Sequence, residues 1–267
     1  MAKTAATEKL NVSIPWPFAA REVKLNTDTN LLKLIAMAAM LIDHAGKMLF
    51  PQYYVLRVIG RIAFPLYAYC LAVGCVYTKN PLRYLTRIVL LALISQPLYA
   101  VALGHTVPSM YSVSFAEHPV RAALQFYTGS WNHPSILLSL SLGMILIWTI
   151  REKHLVLSVA IVLFCYLTQA SLDYGIRGII LMTLFYLFCA YPLISFPVVA
   201  AYMIWWGLQG SGFTLFDVRF GSQMFAVLAL PLIYLPIRTH LRMNKWVFYL
   251  FYPAHLALIY LVDTFLM

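Results

Sequence analysis

Long apolar segments alternate with short polar ones from about residue 30 to the end of the sequence. Each apolar segment is close to the ~20 residues that an α-helix needs to cross ~30 Å of hydrocarbon. Because a bilayer accepts only structures that satisfy their own backbone hydrogen bonds, these segments indicate helices. The pattern therefore predicts an all-α fold, a polytopic transmembrane helical bundle of about nine spans: 31–50, 54–77, 82–103, 134–150, 154–172, 176–191, 193–209, 222–237 and 246–266.

The polar residues before and between the spans predict further features. Residues 1–29 are interpreted as a polar cytoplasmic tail with a surface-lying piece at 14–20, and residues 30–267 as one transmembrane domain. In the long loop 104–132, apolar residues recur at helical spacing, which predicts a short helix across the outer mouth of the bundle. The sixth and seventh spans form either a tight hairpin or one broken helix, since Pro197 interrupts the seventh.

The composition excludes a soluble globular protein. The chain is 62% hydrophobic and 10% charged, with a mean hydropathy of +0.79. A net charge of +10 would suggest nucleic acid in a soluble protein. Here the basic residues lie at the ends of apolar spans, so the expected partner is the lipid bilayer and not nucleic acid. The four cysteines lie inside apolar spans without a CxxC motif, so neither a metal site nor a disulfide framework is expected.

The basic residues also predict the orientation of the bundle. With the N-terminus inside, 13 of the 19 Lys and Arg residues fall on the inner side and six on the outer side. Positive charge is enriched on the cytoplasmic side of membrane proteins. We therefore expect an inside N-terminus in a multi-pass protein of the cytoplasmic (inner) membrane.

The first span, LLKLIAMAAMLIDHAGKMLF, carries ionisable residues, among them the pair Asp43-His44. Such side chains cost about 2.5–3.5 kcal/mol each inside a bilayer, so a span that keeps them is a functional hypothesis. Lys33 and His44 are eleven residues apart, which on a helix gives one shared face and roughly 16 Å along the axis. A neutral histidine in a dry site is a common general base. Hydrogen bonding of His44 between helices, as packing, is the open alternative.

Two arginines open the second span. Arg57 and Arg61 are four residues apart and therefore share a helix face. They are predicted to clamp a phosphate, a carboxylate or Asp43. The alternative is that their long side chains extend to the outer lipid headgroups.

The last span, KWVFYLFYPAHLALIYLV, predicts a polar pocket in an apolar helix. A proline frees a backbone carbonyl beside the Tyr252 hydroxyl and the His255 imidazole. Asp173 and Tyr174, at the outer end of the fifth span, and Gln96 in the third span are further candidates.

Two groups of basic residues flank spans on the predicted inner side. Topology alone explains them. They would equally suit the phosphates of a cytosolic nucleotide-bearing donor such as coenzyme A. The two groups are Lys79, Arg83 and Arg87, and Arg238, Arg242 and Lys245.

Four motifs of this sequence resemble the TraX family, named for the acetylase that caps the N-terminus of conjugative F-type pilin. They are LLKLIAMAAMLIDHAGKMLFP, LRVIGRIAFPLYAYCLAVG, ASLDYGIRGIILMTLFYLF and KWVFYLFYPAHLALIYLV; they occur in family order, and the resemblance covers residues 31–262. The family's residues map to Asp43 and His44, Gly60 and Arg61, Asp173, Tyr174 and Gly175, and Tyr252, Pro253 and His255.

A more distant similarity is to membrane acyltransferases that O-acylate cell-envelope sugars. Their first helix carries a basic residue, ten intervening residues and a histidine, a spacing that Lys33 and His44 reproduce. Together the resemblances imply an acyltransferase, specifically an acetyl-CoA-dependent acetyltransferase. The donor would be cytosolic acetyl-CoA or another acyl-CoA, and the acceptor a pilin, peptide or glycan reached from the other side.

The resemblance and the residue types together predict a role for each candidate residue. His44 is the expected general base. The other expected catalytic residues are Asp43, Arg61, Tyr252 and His255. The expected donor-binding residues are Lys33, Arg83, Arg87, Arg242 and Lys245. The expected acceptor-binding residues are Arg57, Asp173 and Tyr174.

Two other classes of function stay open from the sequence. In a transporter or flippase, the same ionisable residues would form a proton or substrate path, although no inverted repeat is visible. In a non-catalytic membrane assembly factor for a secreted polypeptide, they would be hydrogen-bonding contacts between helices.

Overall fold

The computed structural model describes residues 22–239 and 241–266. The predicted surface-lying piece at 14–20, with the rest of the tail before residue 22, lies outside these described residues. The described chain is mostly helical. Its helices are α1 (Thr29–Met48), α2 (Tyr54–Gly60), α3 (Ala63–Tyr77), α4 (Pro81–Ala102), α5 (Pro119–Ser130), α6 (Ile136–Arg151), α7 (Leu155–Leu167), α8 (Gly175–Phe188), α9 (Pro192–Leu208), α10 (Leu230–Tyr234) and α11 (Lys245–Leu266), with 3₁₀ helices at Pro108–Tyr111 and Ser222–Ala229.

Each predicted apolar segment carries helix, as expected for a helical membrane protein. Within the described ranges, three helical stretches are suited by length and composition to cross a membrane: Tyr54–Tyr77, Pro81–Ala102 and Trp246–Phe265. Several apolar helices are shorter: Ile136–Arg151, Leu155–Leu167, Gly175–Phe188, Pro192–Leu208 and Ser222–Tyr234. The first predicted span forms the 20-residue helix α1.

The second predicted span contains a break near its start. Helix α2 ends at Gly60 and α3 begins at Ala63. Pro65 has no N–H to donate to the Arg61 carbonyl, which interrupts the helical hydrogen bonds at this point. The break leaves Arg61 at the end of α2, facing Asp43 of α1.

The sixth and seventh predicted spans are two separate helices, so the hairpin alternative is correct. Helices α8 and α9 pack against each other. Pro192 is the first residue of α9, a position where the missing N–H costs no hydrogen bond. Pro197 lies inside α9 without ending it.

The all-α prediction is wrong for the loop after α9. Strand β1 (Phe213–Leu215) pairs antiparallel with β2 (Val218–Phe220). The two turn residues, Phe216 and Asp217, have φ angles of 48° and 64°, as the tight turn of a two-residue hairpin requires. Glycine or asparagine usually occupies such positions, so this turn lacked its usual sequence signal.

The end of the predicted tail is packed into the bundle. Val23, Leu25 and Asn26 are buried. The Asn26 N–H donates to the Ile233 carbonyl at 3.0 Å, and the Tyr69 hydroxyl donates to the Asn26 carbonyl at 2.6 Å. Residues 22–28 are therefore part of the folded domain, which begins before residue 30.

Helices α1 and α3 lie at the centre of the bundle. Helix α1 packs against α2, α3 and α11, and α3 also packs against α6 and α8. Helix α7 lies at the periphery, with exposed apolar side chains such as Val156 and Val159. In a membrane protein, such residues face lipid.

A single glycine allows α2 to approach α1. A Cβ atom at Gly60 would overlap the Asp43 Cβ, so the two helices would have to move apart. We expect Gly60→Ala to lower the free energy of unfolding by about 1–3 kcal/mol through overpacking. Thermal unfolding in detergent measures this effect. Ile59→Ala, on the exposed face of α2, is the control, and an equal melting temperature for both variants would contradict the expectation.

Candidate functional site

A cavity of about 720 Å³ lies inside the bundle, with α1 as its long wall. Lys33, His44 and Lys47 of α1 all line it. Lys33 and Lys47 are 14 residues apart, about 21 Å along a helix axis. The prediction that Lys33 and His44 share one face is confirmed, because both face this cavity.

Lys33 marks one end of the cavity. Its ammonium lies 5.2 Å from the centroid of the Phe248 ring of α11, a cation–π contact that holds the lysine against the wall. Tyr84 of α4 and Tyr249 of α11 line the same cavity. This end therefore combines one cation with aromatic surface.

Three of the other predicted donor-binding cations lie outside the cavity wall. Arg83 and Arg87 are exposed on α4, although the residue after each of them lines the cavity. Arg242 is also exposed, and the side chain of Lys245 lies outside the described part of the structure. Among the side chains that the structure describes in this predicted set, Lys33 alone lines the cavity.

A second histidine holds His44. Nδ1 of His44 lies 2.9 Å from Nε2 of His255, and Nδ1 of His255 lies 2.9 Å from the Phe251 carbonyl oxygen. Because a carbonyl only accepts, Nδ1 of His255 carries the hydrogen, and Nε2 of the neutral ring accepts from Nδ1 of His44. Nε2 of a neutral His44 is then the free lone pair, on a ring that lines the cavity.

Asp43 joins α1 to both arginines of the second span. Its Oδ2 accepts from Nη1 of Arg57 at 2.7 Å, and its Oδ1 accepts from Nη2 of Arg61 at 2.5 Å. Nη1 of Arg57 also donates to the Asp43 carbonyl at 3.1 Å. Both arginines therefore point at Asp43 instead of extending to the headgroups. Two guanidinium groups on one carboxylate leave one positive charge in excess beside His44.

Asp173 and Tyr174 line the cavity from the turn before α8. Tyr174 and Gly175 have φ angles of 59° and 54°, a left-handed turn that glycine adopts at little cost. The Tyr174 ring stacks on Phe64 with centroids 4.2 Å apart. Burial raises the pKa of the Asp173 carboxyl, while nearby Arg61 and other basic groups oppose that shift.

Three further residues of the wall were not predicted. Nζ of Lys47 donates to the Leu103 carbonyl at 2.9 Å and to Nε2 of His105 at 3.0 Å. The His105 ring stacks on His133 with centroids 4.0 Å apart. Burial, with the Lys47 ammonium beside it, lowers the pKa of His105 to about 4. The neutral ring at pH 7 can therefore accept the lysine hydrogen bond.

The sequence held a signal for one of these three residues. Lys47 follows His44 by three residues and so shares its helix face. His105 and His133 flank the long loop, and only the folding of that loop against α4 brings them together. No spacing rule connects residues separated in this way.

Gln96, a candidate from the sequence, holds the long loop in place. Its Nε2 donates to the carbonyls of Ser130 at 2.6 Å and His133 at 3.0 Å. Its Oε1 accepts from the Ser135 N–H at 2.9 Å. Both ends of the Gln96 amide are therefore hydrogen-bonded to backbone groups, and Gln96 positions His133.

The short helix predicted in the long loop is α5, but it does not line the cavity. It packs against α4 and the 3₁₀ turn Pro108–Tyr111. None of its described residues lines the cavity, and the apolar residues Val120 and Leu124 are exposed. Helix α5 therefore contributes no described side chain to the cavity wall, and its position at the outer mouth of the bundle stays a prediction.

Four sequence motifs, far apart in the chain, converge on this cavity. Residues from all four line its wall: Asp43 and His44, Gly60 and Arg61, Asp173, Tyr174 and Gly175, and Tyr252. His255, from the fourth motif, is buried behind His44. The site is thus assembled from α1, α2, the turn before α8, and α11.

Comparison with known proteins agrees with these motifs. The family model described as TraX protein matches residues 28–263. The probable fimbrial assembly protein FimC, serogroup H1, of Dichelobacter nodosus is 28% identical over 257 residues, 88% of this chain and 95% of that protein. An uncharacterized protein of Rickettsia prowazekii (strain Madrid E) is 40% identical over 67 residues, 25% of each chain. No solved structure gives a significant match. The chain belongs to the TraX family.

Proposed function

We propose that this protein is an integral membrane acyltransferase. It transfers an acetyl group from acetyl-CoA to an amine or hydroxyl of an envelope or secreted acceptor, such as a pilin N-terminus. The observation that carries this proposal is the chain from His44 through His255 to the Phe251 carbonyl. This chain leaves a histidine lone pair in the wall of a cavity that also contains Lys33.

His44 acts as the general base in the proposed reaction. The acceptor nitrogen or oxygen attacks the thioester carbonyl carbon while Nε2 of His44 takes its proton. The new bond to carbon forms, and the oxyanion then collapses with cleavage of the C–S bond. The His44 imidazolium returns the proton to the leaving thiolate, so that the products are the acetylated acceptor and free coenzyme A.

His255 is a positioning residue in this scheme. Its hydrogen bond fixes the ring of His44 and selects the tautomer with a free Nε2. It also accepts from Nδ1–H of His44 when that ring becomes charged, which stabilises the imidazolium. Tyr252, one turn earlier on α11 and in the cavity wall, is the proposed donor to the oxyanion.

The donor enters from the end of the cavity at Lys33. The separation of roughly 16 Å between Lys33 and His44 suits an extended pantetheine arm whose phosphates stay near the lysine. Arg83, Arg87 and Arg242 would act on the exposed nucleotide end, outside the wall. Aromatic side chains such as Tyr84 line the path between.

We further propose nine spans, an inside N-terminus and a place in the cytoplasmic (inner) membrane. This orientation puts Lys33 on the side where acetyl-CoA is made and His44 toward the other side. The fimbrial assembly protein that resembles this chain supports an acceptor among secreted polypeptides. A glycan acceptor is the alternative within the same reaction class.

A transporter or flippase is the rival function. A cavity with ionisable residues along a whole helix would also suit a proton or substrate path. Purified protein in nanodiscs, incubated with radiolabelled acetyl-CoA and a candidate amine, separates the two. Labelled product together with free coenzyme A supports the acyltransferase. Substrate uptake into proteoliposomes with no coenzyme A release would favour the transporter.

Lys33→Gln tests the donor end of the cavity. We expect the KM for acetyl-CoA to rise about 3- to 10-fold with kcat nearly unchanged, because a phosphate contact outside the reacting atoms is lost. Steady-state coenzyme A release measures both constants. Arg121→Gln, on α5 and outside the cavity wall, is the control. An unchanged KM with continued turnover would place the donor elsewhere.

A further inference from the structure

The cavity wall around Lys47 has features that the proposed acetyl transfer does not use. Lys47 is one helical turn beyond His44. Its ammonium has three N–H donors, and two are taken by the Leu103 carbonyl and His105. In the part of the chain that the structure describes, Lys47 forms no salt bridge, and its third donor has no acceptor.

The charges near Lys47 favour an anion. Asp43 is already bound by Arg57 and Arg61, so it is not available to the lysine. Asp173 is the other carboxylate of the wall. Lys47, Arg57 and Arg61 therefore share these two carboxylates, and one positive charge remains in excess near Lys47 at pH 7 even with Asp173 ionised. Any protonation of Asp173 increases that excess.

A second unpaired polar group lies in the same wall. Nδ1 of His133 is buried and has no hydrogen-bond partner within residues 22–239 and 241–266. The His133 ring stacks on His105, the residue that accepts from Lys47. Gln96 and Ser135 fix the backbone around His133, so the ring is held in place. A buried polar atom without a partner costs free energy that a bound ligand can recover.

We propose that Lys47 and His133, the latter as the tautomer with its hydrogen on Nδ1, form an anion subsite that binds a carboxylate or phosphate group of the acceptor. The acceptor class is then an amine or hydroxyl compound with an anionic group about one helical turn from the nucleophile. Lys47 and His44 lie on one face of α1, one turn apart, and the test compounds therefore carry a two-carbon spacer between the amine and the anionic group. This inference rests on the proposed function for its reaction and deepens it by naming the acceptor.

Three small amines of similar size test the subsite. Propylamine has no anionic group, β-alanine carries a carboxylate, and phosphoethanolamine carries a phosphate. Coenzyme A release is measured with each amine for the native protein and for Lys47→Gln. Glutamine keeps an N–H donor for the Leu103 carbonyl. Equal melting temperatures of the native protein and the variant establish that the fold is kept.

We expect the native protein to prefer at least one anionic amine to propylamine. Lys47→Gln should raise the KM for that anionic amine about 10- to 100-fold, the effect of losing a charge-assisted hydrogen bond. The KM for propylamine should change less than about twofold, and Lys47→Arg should restore most of the loss. The anionic amine with the lower KM in the native protein shows whether the subsite binds a carboxylate or a phosphate.

Two results would overturn the subsite. One is a loss in Lys47→Gln that is equal for propylamine and the anionic amines, which would indicate a structural or oxyanion role. The other is native turnover without preference for an anionic amine. If none of the three amines releases coenzyme A, binding of β-alanine and phosphoethanolamine by calorimetry decides the subsite separately; the proposed function fails only if peptide and glycan acceptors give no release either. Binding that is lost in Lys47→Gln supports the subsite, and absence of binding to the native protein disproves the subsite.

Discussion

Replacing His44 by alanine is expected to lower the rate of acetyl transfer by about 10²- to 10⁴-fold. The proposed general base is lost, while the cavity and the cation at Lys33 remain. Coenzyme A release from radiolabelled acetyl-CoA, followed with a candidate acceptor in nanodiscs, measures the rate. His44→Asn, which keeps a polar side chain near His255, should be equally slow.

The control for this variant is His118→Ala. His118 is exposed at the start of α5, outside the cavity wall and without a side-chain cap to that helix. Its removal should leave the rate within about twofold of the native value, since surface changes rarely disturb a fold. Full activity of a folded His44→Ala variant would disprove the general-base role of His44, whereas a native protein that releases no coenzyme A would favour the transporter.

Asp43→Ala is expected to destabilise the fold by about 3–5 kcal/mol. Asp43 is buried, and it alone pairs Arg57 and Arg61 among the described residues. Without the carboxylate, two partly buried guanidinium groups face each other at the junction of α1 and α2. The free energy of unfolding in detergent, from denaturant titration, measures the loss.

Two variants make this prediction specific. Glu117→Gln removes an exposed carboxylate in the long loop and should change the unfolding free energy by less than about 0.5 kcal/mol. In the Asp43→Ala background, Arg57→Gln should recover part of the loss, because one of the two unpaired cations is removed. If Asp43→Ala unfolds at the same denaturant concentration as the native protein, the ion pairs of Asp43 with Arg57 and Arg61 do not hold α2 against α1.

Much of the fold follows from local pattern. The apolar segments predicted the positions of the helices, because a length near 20 residues and a high hydropathy can both be measured on one continuous stretch of sequence. The hairpin Phe213–Phe220 was missed because Phe216 and Asp217 take a turn that usually needs glycine or asparagine. The burial of Val23 and Leu25 was missed because a short segment without regular secondary structure shows no hydrophobic periodicity.

The candidate site divides in the same way. The sequence by itself determined that Lys33 and His44 share a face, since helix geometry links residues of one element. Only the tertiary structure decided that His255 holds His44, that Asp43 takes both arginines, and that His105 and His133 meet Lys47. Contacts between elements depend on how the helices pack and on where each loop folds against them. Residue spacing along the chain predicts neither the helix packing nor the position of a loop.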